Sequence, residues 1–148
     1  MNLKLKLKHI IVTALLIFLS FSSADAQCID LVKTKGFTYL DTSKYIPEAR
    51  FNALPLREGD DVDIYKSFFK GRNYRIVVVG AENMPILNFK VTNFQRQVLY
   101  DSNITKEESW DFISDKNQNL IISVEVPKVE KDKKPQSGCI AVVIGFAY

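Results

Sequence analysis

The run GRNYRIVVVG, residues 71–80, is the most strongly β-forming stretch of this chain and decides its fold. β-Branched and aromatic residues fit a pleated, half-buried surface, and the glycine at each end permits a turn or a bulge. Side chains alternate along a strand, so Tyr74, Ile76 and Val78 share one face. The opposite face begins polar at Arg75 and becomes apolar after it. The run therefore predicts a central strand with both faces partly covered.

The apolar half of the second face needs cover from another part of the chain. We expect Val77 and Val79 to be buried under the N-terminal segment of the mature chain or under a turn of the sheet. The strands nearest in sequence, predicted at 62–69 and 87–91, are expected to lie beside the opening strand.

Short alternating runs follow one another along the rest of the chain. Further strands are predicted at 37–40, 98–100, 110–113, 120–126 and 140–146, and turn signals recur roughly every 8–12 residues. Residues 27–55 show no clear period apart from the first of these strands. About seven or eight short strands with little helix indicate an all-β antiparallel fold, either a sandwich or a barrel.

The N-terminus has the pattern of a secretory signal peptide, predicted at residues 1–26. Three lysines among the first eight residues form a basic start, an apolar run extends from 10 to 21, and Ala24 and Ala26 supply a small-x-small cleavage site before Gln27. An apolar run of about 12 residues is too short for a membrane helix, which needs roughly 20. We therefore expect an exported, periplasmic or extracellular protein whose mature chain, residues 27–148, is a single domain.

Removal of this segment also changes the charge of the chain. It takes away three lysines and one aspartate, so the formal net charge falls by two, from +3 to +1. A nearly neutral mature chain does not predict a nucleic-acid partner.

Both cysteines, Cys28 and Cys139, belong to the predicted mature chain. A lone cysteine pair in an exported protein predicts a disulfide, and metal binding by two cysteines without histidine is the alternative. The loop would span nearly the whole domain, so the chain-entropy model predicts a stabilisation of about 4–5 kcal/mol.

The residue types of the mature chain exclude several kinds of catalytic site. The only histidine of the full sequence, His9, lies in the predicted signal peptide, so the mature chain has none. This excludes Ser-His-Asp triads, Cys-His pairs and histidine metal sites. Asp60, Asp61 and Asp63 form the densest carboxylate group, a candidate for paired acid-base chemistry or a weak candidate for calcium. A solvated turn and strand edge explains the same residues. No catalytic residue and no cofactor is predicted.

Basic and aromatic residues alternate between 72 and 100, as on surfaces that bind glycans or nucleic acid. Strand alternation sends most of these aromatic side chains into the core. Phe94 is the exception, because it lies at the tip of a predicted hairpin. Phe94 and the nearby Arg96 are therefore the candidate ligand contacts.

Four short motifs occupy the chain from about residue 56 to its end: KGxxYxI at 70–76, VLYD at 98–101, WxF at 110–112 and LIIxV at 120–124. Their rhythm resembles that of bacterial pre-peptidase C-terminal domains, which are small jelly-roll sandwiches on exported proteins. Where that family carries a Ser-Gly-x-Tyr step, this chain has Asn119-Leu120. The chain is also similar to small exported bacterial β-sandwich proteins of unknown function.

The first resemblance implies a jelly-roll sandwich, and both imply a noncatalytic accessory or binding module. We therefore expect a domain that binds a glycan, a cell-envelope component or a protein, and not nucleic acid, with no membrane span in the mature chain. A small carboxylate-dependent hydrolase and a structural subunit of an envelope assembly are the alternatives.

Overall fold

A computed structural model describes residues 24–128 and 134–147 of the chain, with side chains from residue 28 onward. The predicted signal peptide lies outside the described residues except at 24–26. The described part begins with a helical segment made of α1 (Ala24–Leu31), a π-helical turn (Val32–Gly36) and α2 (Phe37–Leu40). Asp41 ends the segment in the left-handed conformation, and its N–H donates to the Thr38 carbonyl.

The short strand predicted at 37–40 is wrong, because these residues form α2. Their β-forming aromatic residues are overridden by tertiary packing, since the helical segment lies on a sheet and buries Leu40 completely.

Nine strands and one further short helix follow. They are β1 (Ile46–Pro47), β2 (Asn52–Arg57), β3 (Asp61–Phe68), β4 (Asn73–Gly80), β5 (Asn88–Asn93), β6 (Val98–Asp101), α3 (Ser102–Thr105), β7 (Ser109–Ile113), β8 (Gln118–Glu125) and β9 (Ser137–Ala147). The opening run of the sequence is β4.

The strands form two antiparallel sheets. The first sheet has the order β1-β9-β4-β7, with β2 also paired to β9, and the second has the order β3-β8-β5-β6. Without the two-residue β1, the orders are β2-β9-β4-β7 and β3-β8-β5-β6, which is the eight-stranded jelly roll of two Greek keys. The predicted all-β antiparallel sandwich is confirmed.

The partners of β4 differ from those expected. It pairs with β9 and β7 in the first sheet, whereas β3 and β5 belong to the second sheet. The expectation that these sequence neighbours lie beside β4 is wrong, because a jelly roll sends most consecutive strands to alternate sheets.

Two apolar cores lie on the two faces of the first sheet. The larger core fills the space between the sheets and includes Tyr74, Ile76 and Val78 from β4. The smaller core lies on the outside of the first sheet, where the helical segment covers Val77 and Val79. Both valines are fully buried, so the predicted cover of this face by the N-terminal segment is confirmed.

Close packing and a disulfide hold the helical segment on the sheet. A Cβ at Gly36 would lie 2.8 Å from Val143 Cγ2, and one at Gly145 would lie 2.8 Å from Leu40 Cδ1. A larger residue at either position would therefore have to displace its neighbour. Cys28 of α1 is bonded to Cys139 near the start of β9, with their Cα atoms 5.1 Å apart. The cross-link therefore joins the helical segment to a central strand of the first sheet.

Candidate functional site

The outer face of the second sheet carries the candidate site. Its inner face belongs to the larger core, so alternate residues of β3, β8 and β5 point away from that core. Strand register arranges these outward residues in rows across the sheet: Asp61-Glu125-Asn88, Asp63-Ser123-Lys90, Tyr65-Ile121-Thr92 and Ser67-Asn119. The third row is the one in which apolar side chains predominate.

The hairpin between β5 and β6 folds over this face. The rings of Phe94, in the hairpin, and Tyr65, in β3, have centroids 6.2 Å apart and planes inclined by 30°. Arg96 Nη1 lies 3.8 Å from Asp63 Oδ2. β8 separates β3 from β5, so the hairpin side chains reach across two strand spacings, about 10 Å.

Tyr65 and Phe94, here called the aromatic pair, are both more than half exposed, at 58% and 55%. Beneath them in the same row, Ile121 is 2% and Thr92 8% exposed. The Thr92 hydroxyl has no hydrogen-bond partner in the described structure. The aromatic pair thus forms an exposed apolar surface of two rings above the buried Ile121 and Thr92, in an otherwise polar face.

Polar side-chain pairs border the aromatic pair on both sides along the strands. On one side the Ser123 hydroxyl donates to Asp63 Oδ1. On the other side the Ser67 hydroxyl donates to Asn119 Oδ1 at 2.6 Å. Each pair is two residues along β3 from Tyr65, a distance of about 6.7 Å.

The Asn93 side chain fixes the hairpin. Its Oδ1 accepts from the Gln95 and Gln97 N–H groups at 3.0 and 2.9 Å, and its Nδ2 donates to Gln97 Oε1 at 2.7 Å. Arg96 has a φ of 62°, in the left-handed region that non-glycine residues rarely adopt. These bonds define the backbone of the hairpin from Asn93 to Gln97, which carries Phe94 and Arg96.

Further along the same face, the polar rows lead to a cavity. It has a volume of about 320 Å³ and is lined by residues that include Asp61, Asn88, Lys90 and Glu125. Asp61 and Glu125 are direct cross-strand neighbours, so they stand side by side on the sheet.

Asp101 of β6 is the cross-strand neighbour of Lys90 and extends the Asp63-Ser123-Lys90 row onto β6. The two side chains form an ion pair, with Lys90 Nζ 3.3 Å from Asp101 Oδ2. Burial raises the pKa of Asp101, but hydrogen bonds from the Asn103 backbone and from Lys90 outweigh it and leave the pKa below its ordinary value. Asp101 therefore stays ionised and keeps its ion pair with Lys90 beside the cavity.

The structure separates the three aspartates predicted as a group. The Asp60 carboxylate accepts from the Arg57 N–H at 2.9 Å and belongs to the β2–β3 turn, Asp61 lines the cavity, and Asp63 lies beside the aromatic pair. Among the described residues, no set of three or more His, Cys, Asp or Glu side chains is placed to hold a metal ion. The weak calcium candidacy of these aspartates stays a prediction without structural support.

Phe94 and Arg96, the predicted ligand contacts, do lie together on one face. Sequence reasoning missed Tyr65 and Ser123, which the sheet brings beside them. The alternation of β3 contains the signal for Tyr65, because Ile64 and Phe68 share the inner face and Tyr65 must then point outward. The signal for Ser123 lies only in the pairing of β3 with β8.

The fold and this face define a small jelly-roll domain with an exposed aromatic pair on its second sheet. No protein-family model and no curated protein matches the chain. Among solved structures, it is similar to the crystal structure of Aeromonas hydrophila PliG, a periplasmic lysozyme inhibitor of g-type lysozyme. That alignment has a TM-score of 0.49 and 11% identity, and it covers 66% of this chain and 84% of that chain. At this level of likeness no function is transferred.

Proposed function

We propose that this chain is an exported, noncatalytic binding domain that acts at the cell envelope or outside it, and that its ligand lies on the outer face of the second sheet. The observation that carries the proposal is the aromatic pair. Two large aromatic side chains, each more than half exposed, stand together in the middle of a polar face. Exposed apolar surface rimmed by polar groups is characteristic of interaction sites.

Export is supported by the disulfide and by the predicted signal peptide. Disulfides persist in oxidising compartments such as the periplasm and the extracellular space. In the described part of the chain, no helix is both long enough and apolar enough to cross a membrane. The resemblance to pre-peptidase C-terminal domains implies the same accessory role, and that kinship stays a prediction.

A noncatalytic role is supported by the arrangement of the carboxylates. Beyond the signal peptide the chain has no histidine, so acid-base chemistry would fall to carboxylates. Asp61 and Glu125 stand on one wall of the cavity, side by side on the sheet, whereas a glycosidase pair flanks the bond that it cleaves. A carboxylate-dependent hydrolase remains the second candidate because this pair does line a cavity.

The test is co-sedimentation of the purified protein with insoluble envelope fragments from the cells that produce it. We expect the wild-type protein to sediment and the Tyr65→Ala and Phe94→Ala variants to stay in the supernatant. Ile113→Ala is the matched control, since Ile113 is a 71% exposed apolar residue on β7 of the other sheet. It should sediment like the wild type.

Two results would contradict the proposal. Sedimentation that is equal in all four proteins would show that the aromatic pair is not the contact. Breakdown of the envelope polymer during incubation, abolished by Glu125→Gln, would establish the hydrolase instead.

A further inference from the structure

We infer that the ligand of this face is a glycan, with one sugar ring lying on the aromatic pair. The inference rests on the proposed function and names its ligand class. It follows from the order of apolar and polar groups on the face, from the hydrogen-bonding capacity of the groups around the aromatic pair and from the hydrogen bonds within the hairpin.

The order of groups along the strands matches the amphipathic surface of a sugar ring. A pyranose presents C–H groups on its faces and hydroxyl groups around its edge, so it needs an apolar support with polar groups on both sides. The aromatic pair supplies the support. The Asp63–Ser123 pair and the Ser67–Asn119 pair supply the polar borders, one on each side.

The rim has the donors and acceptors that hydroxyl groups require. An ionised carboxylate accepts about four hydrogen bonds, and Asp63 receives only one from Ser123 in the described structure. Arg96 carries about five N–H donors, and its side chain is 68% exposed beside that carboxylate. A sugar hydroxyl can donate to Asp63 and accept from Arg96 at the same edge.

Hydrogen bonds within the hairpin restrict its backbone. Asn93 Oδ1 accepts from the N–H groups of Gln95 and Gln97, the residues on either side of Arg96. A contact surface that is ordered in advance loses less conformational entropy on binding. This matters for a sugar, because each ring offers little apolar area with which to offset that loss.

The charges of the face disfavour a polyanion. Lys90 and Arg96 each stand near a carboxylate, at 3.3 Å from Asp101 and 3.8 Å from Asp63. The end row adds two acidic residues, Asp61 and Glu125, around the cavity. A phosphate backbone, whose binding depends on cationic neutralisation, would meet mostly acidic or paired charges here.

A protein partner fits the face less well than a sugar does. Protein interfaces concentrate their energy in a central apolar cluster that becomes fully desolvated. Here the aromatic pair is one row deep, and hydrogen-bonded polar pairs bound it on both sides. The observations therefore favour the glycan.

The test is a titration of the purified protein with soluble tetrasaccharides, followed by backbone NMR shifts and by calorimetry. The probes are β-1,4-linked N-acetylglucosamine, β-1,4-linked glucose, α-1,4-linked glucose and β-1,4-linked xylose. We expect at least one to bind with a dissociation constant of about 1 mM or tighter. The largest shifts should map to 63–67, 93–97 and 119–123.

Substitutions assign the binding to the aromatic pair. Tyr65→Ala and Phe94→Ala should each weaken the affinity at least about tenfold, whereas Tyr65→Phe keeps the ring and should stay within about threefold. Ile113→Ala should bind like the wild type. Unchanged thermal midpoints would show that the variants are folded, as expected for side chains that are more than half exposed.

The outcomes separate this inference from the proposed function. If no tetrasaccharide binds while envelope sedimentation still depends on Tyr65, the glycan inference is wrong, whereas the proposed binding function of this face is supported. Loss of that sedimentation after protease treatment of the envelope fragments would identify a protein ligand and also overturn the glycan. If neither assay depends on the aromatic pair, both proposals fail.

Discussion

At the scale of single residues, a bidentate ion pair lies at the polar start of the face of β4 that the helical segment covers. Arg75 and Asp111 are cross-strand neighbours on β4 and β7. Two parallel hydrogen bonds join them, Nε to Oδ1 and Nη2 to Oδ2, each 2.6 Å long. The guanidinium also lies 4.6 Å from the centre of the Tyr45 ring, whose hydroxyl donates to Asp111. The pair therefore ties β4 and β7 to the loop after α2.

This pair predicts a pH-dependent part of the stability. Hydrogen bonding and charge from Arg75 lower the pKa of Asp111 below its ordinary value of 3.8, against the opposing effect of burial. A lowered folded-state pKa gives a stabilisation that is complete above about pH 4 and disappears as the pH falls through that lowered pKa. Because the Asp111 side chain is 44% exposed, solvent screens the pair, and Asp111→Asn should cost only about 1 kcal/mol at pH 7.

Urea unfolding at several pH values measures this effect. The gap between the wild type and Asp111→Asn should narrow steadily as the pH falls from about 4 toward 2. Asp115→Asn, in the exposed turn after β7, is the matched control and should leave the unfolding free energy nearly unchanged. A gap as large at about pH 2 as at pH 7 would show that packing, and not the ion pair, is responsible.

At the scale of elements, the edge strand β3 carries a lysine whose side chain lies on the inward face of the strand. Among the described strands, β3 pairs only with β8, so its other edge is open. Lys66 shares the inward face with Ile64 and Phe68, and its side chain is only 18% exposed. Its Nζ lies 3.4 Å from Glu48 Oε2 and 3.2 Å from the Arg50 carbonyl. Inward-pointing charges on edge strands discourage pairing with another molecule.

Lys66→Val should therefore promote self-association through β3. The substitution removes the charge and adds a β-branched apolar residue to an open edge. Light scattering after size exclusion, at rising protein concentration, should show a larger mean mass for Lys66→Val than for the wild type. Lys90→Val is the control, because Lys90 lies on β5, which is paired on both sides. A Lys66→Val protein that associates no more than the wild type and the control would refute this role.

The same scale shows what local sequence can predict. Period-two alternation located most strands, because one face of each is buried, and it placed Phe94 at an exposed hairpin tip. The strand partners escaped prediction, since β4 pairs with residues of β9 that lie 60 to 74 positions further along the chain, and nothing local to either strand encodes that choice. Tyr65 likewise lies near Phe94 only because β8, from later in the chain, pairs with both β3 and β5. A strand was wrongly predicted at 37–40, because the helix there packs against Val77 and Val79, which are distant in sequence.

At the scale of the whole molecule, the helical segment depends on its attachment to the first sheet. It is one uninterrupted helical run over 24–40, and most of the stability of a helix in a protein comes from tertiary packing of its apolar face. Leu31, Val32 and Leu40 cover the smaller core. The Cys28–Cys139 disulfide, between residues 111 apart in sequence, is the covalent part of that attachment.

Replacing both cysteines with serine should destabilise the protein and loosen this segment first. A loop of that length corresponds to about 5 kcal/mol in the chain-entropy model, and measured losses of native disulfides are about 2–5 kcal/mol. Urea unfolding should show a loss in that range. Hydrogen exchange should then rise in residues 28–40 well before it rises in β8, because the smaller core loses its tether while the larger core keeps its packing. Wild-type protein treated with reductant should show the same pattern. Equal acceleration of exchange in both regions would instead mean that the two cores unfold as one cooperative unit and that the disulfide supports the whole sandwich.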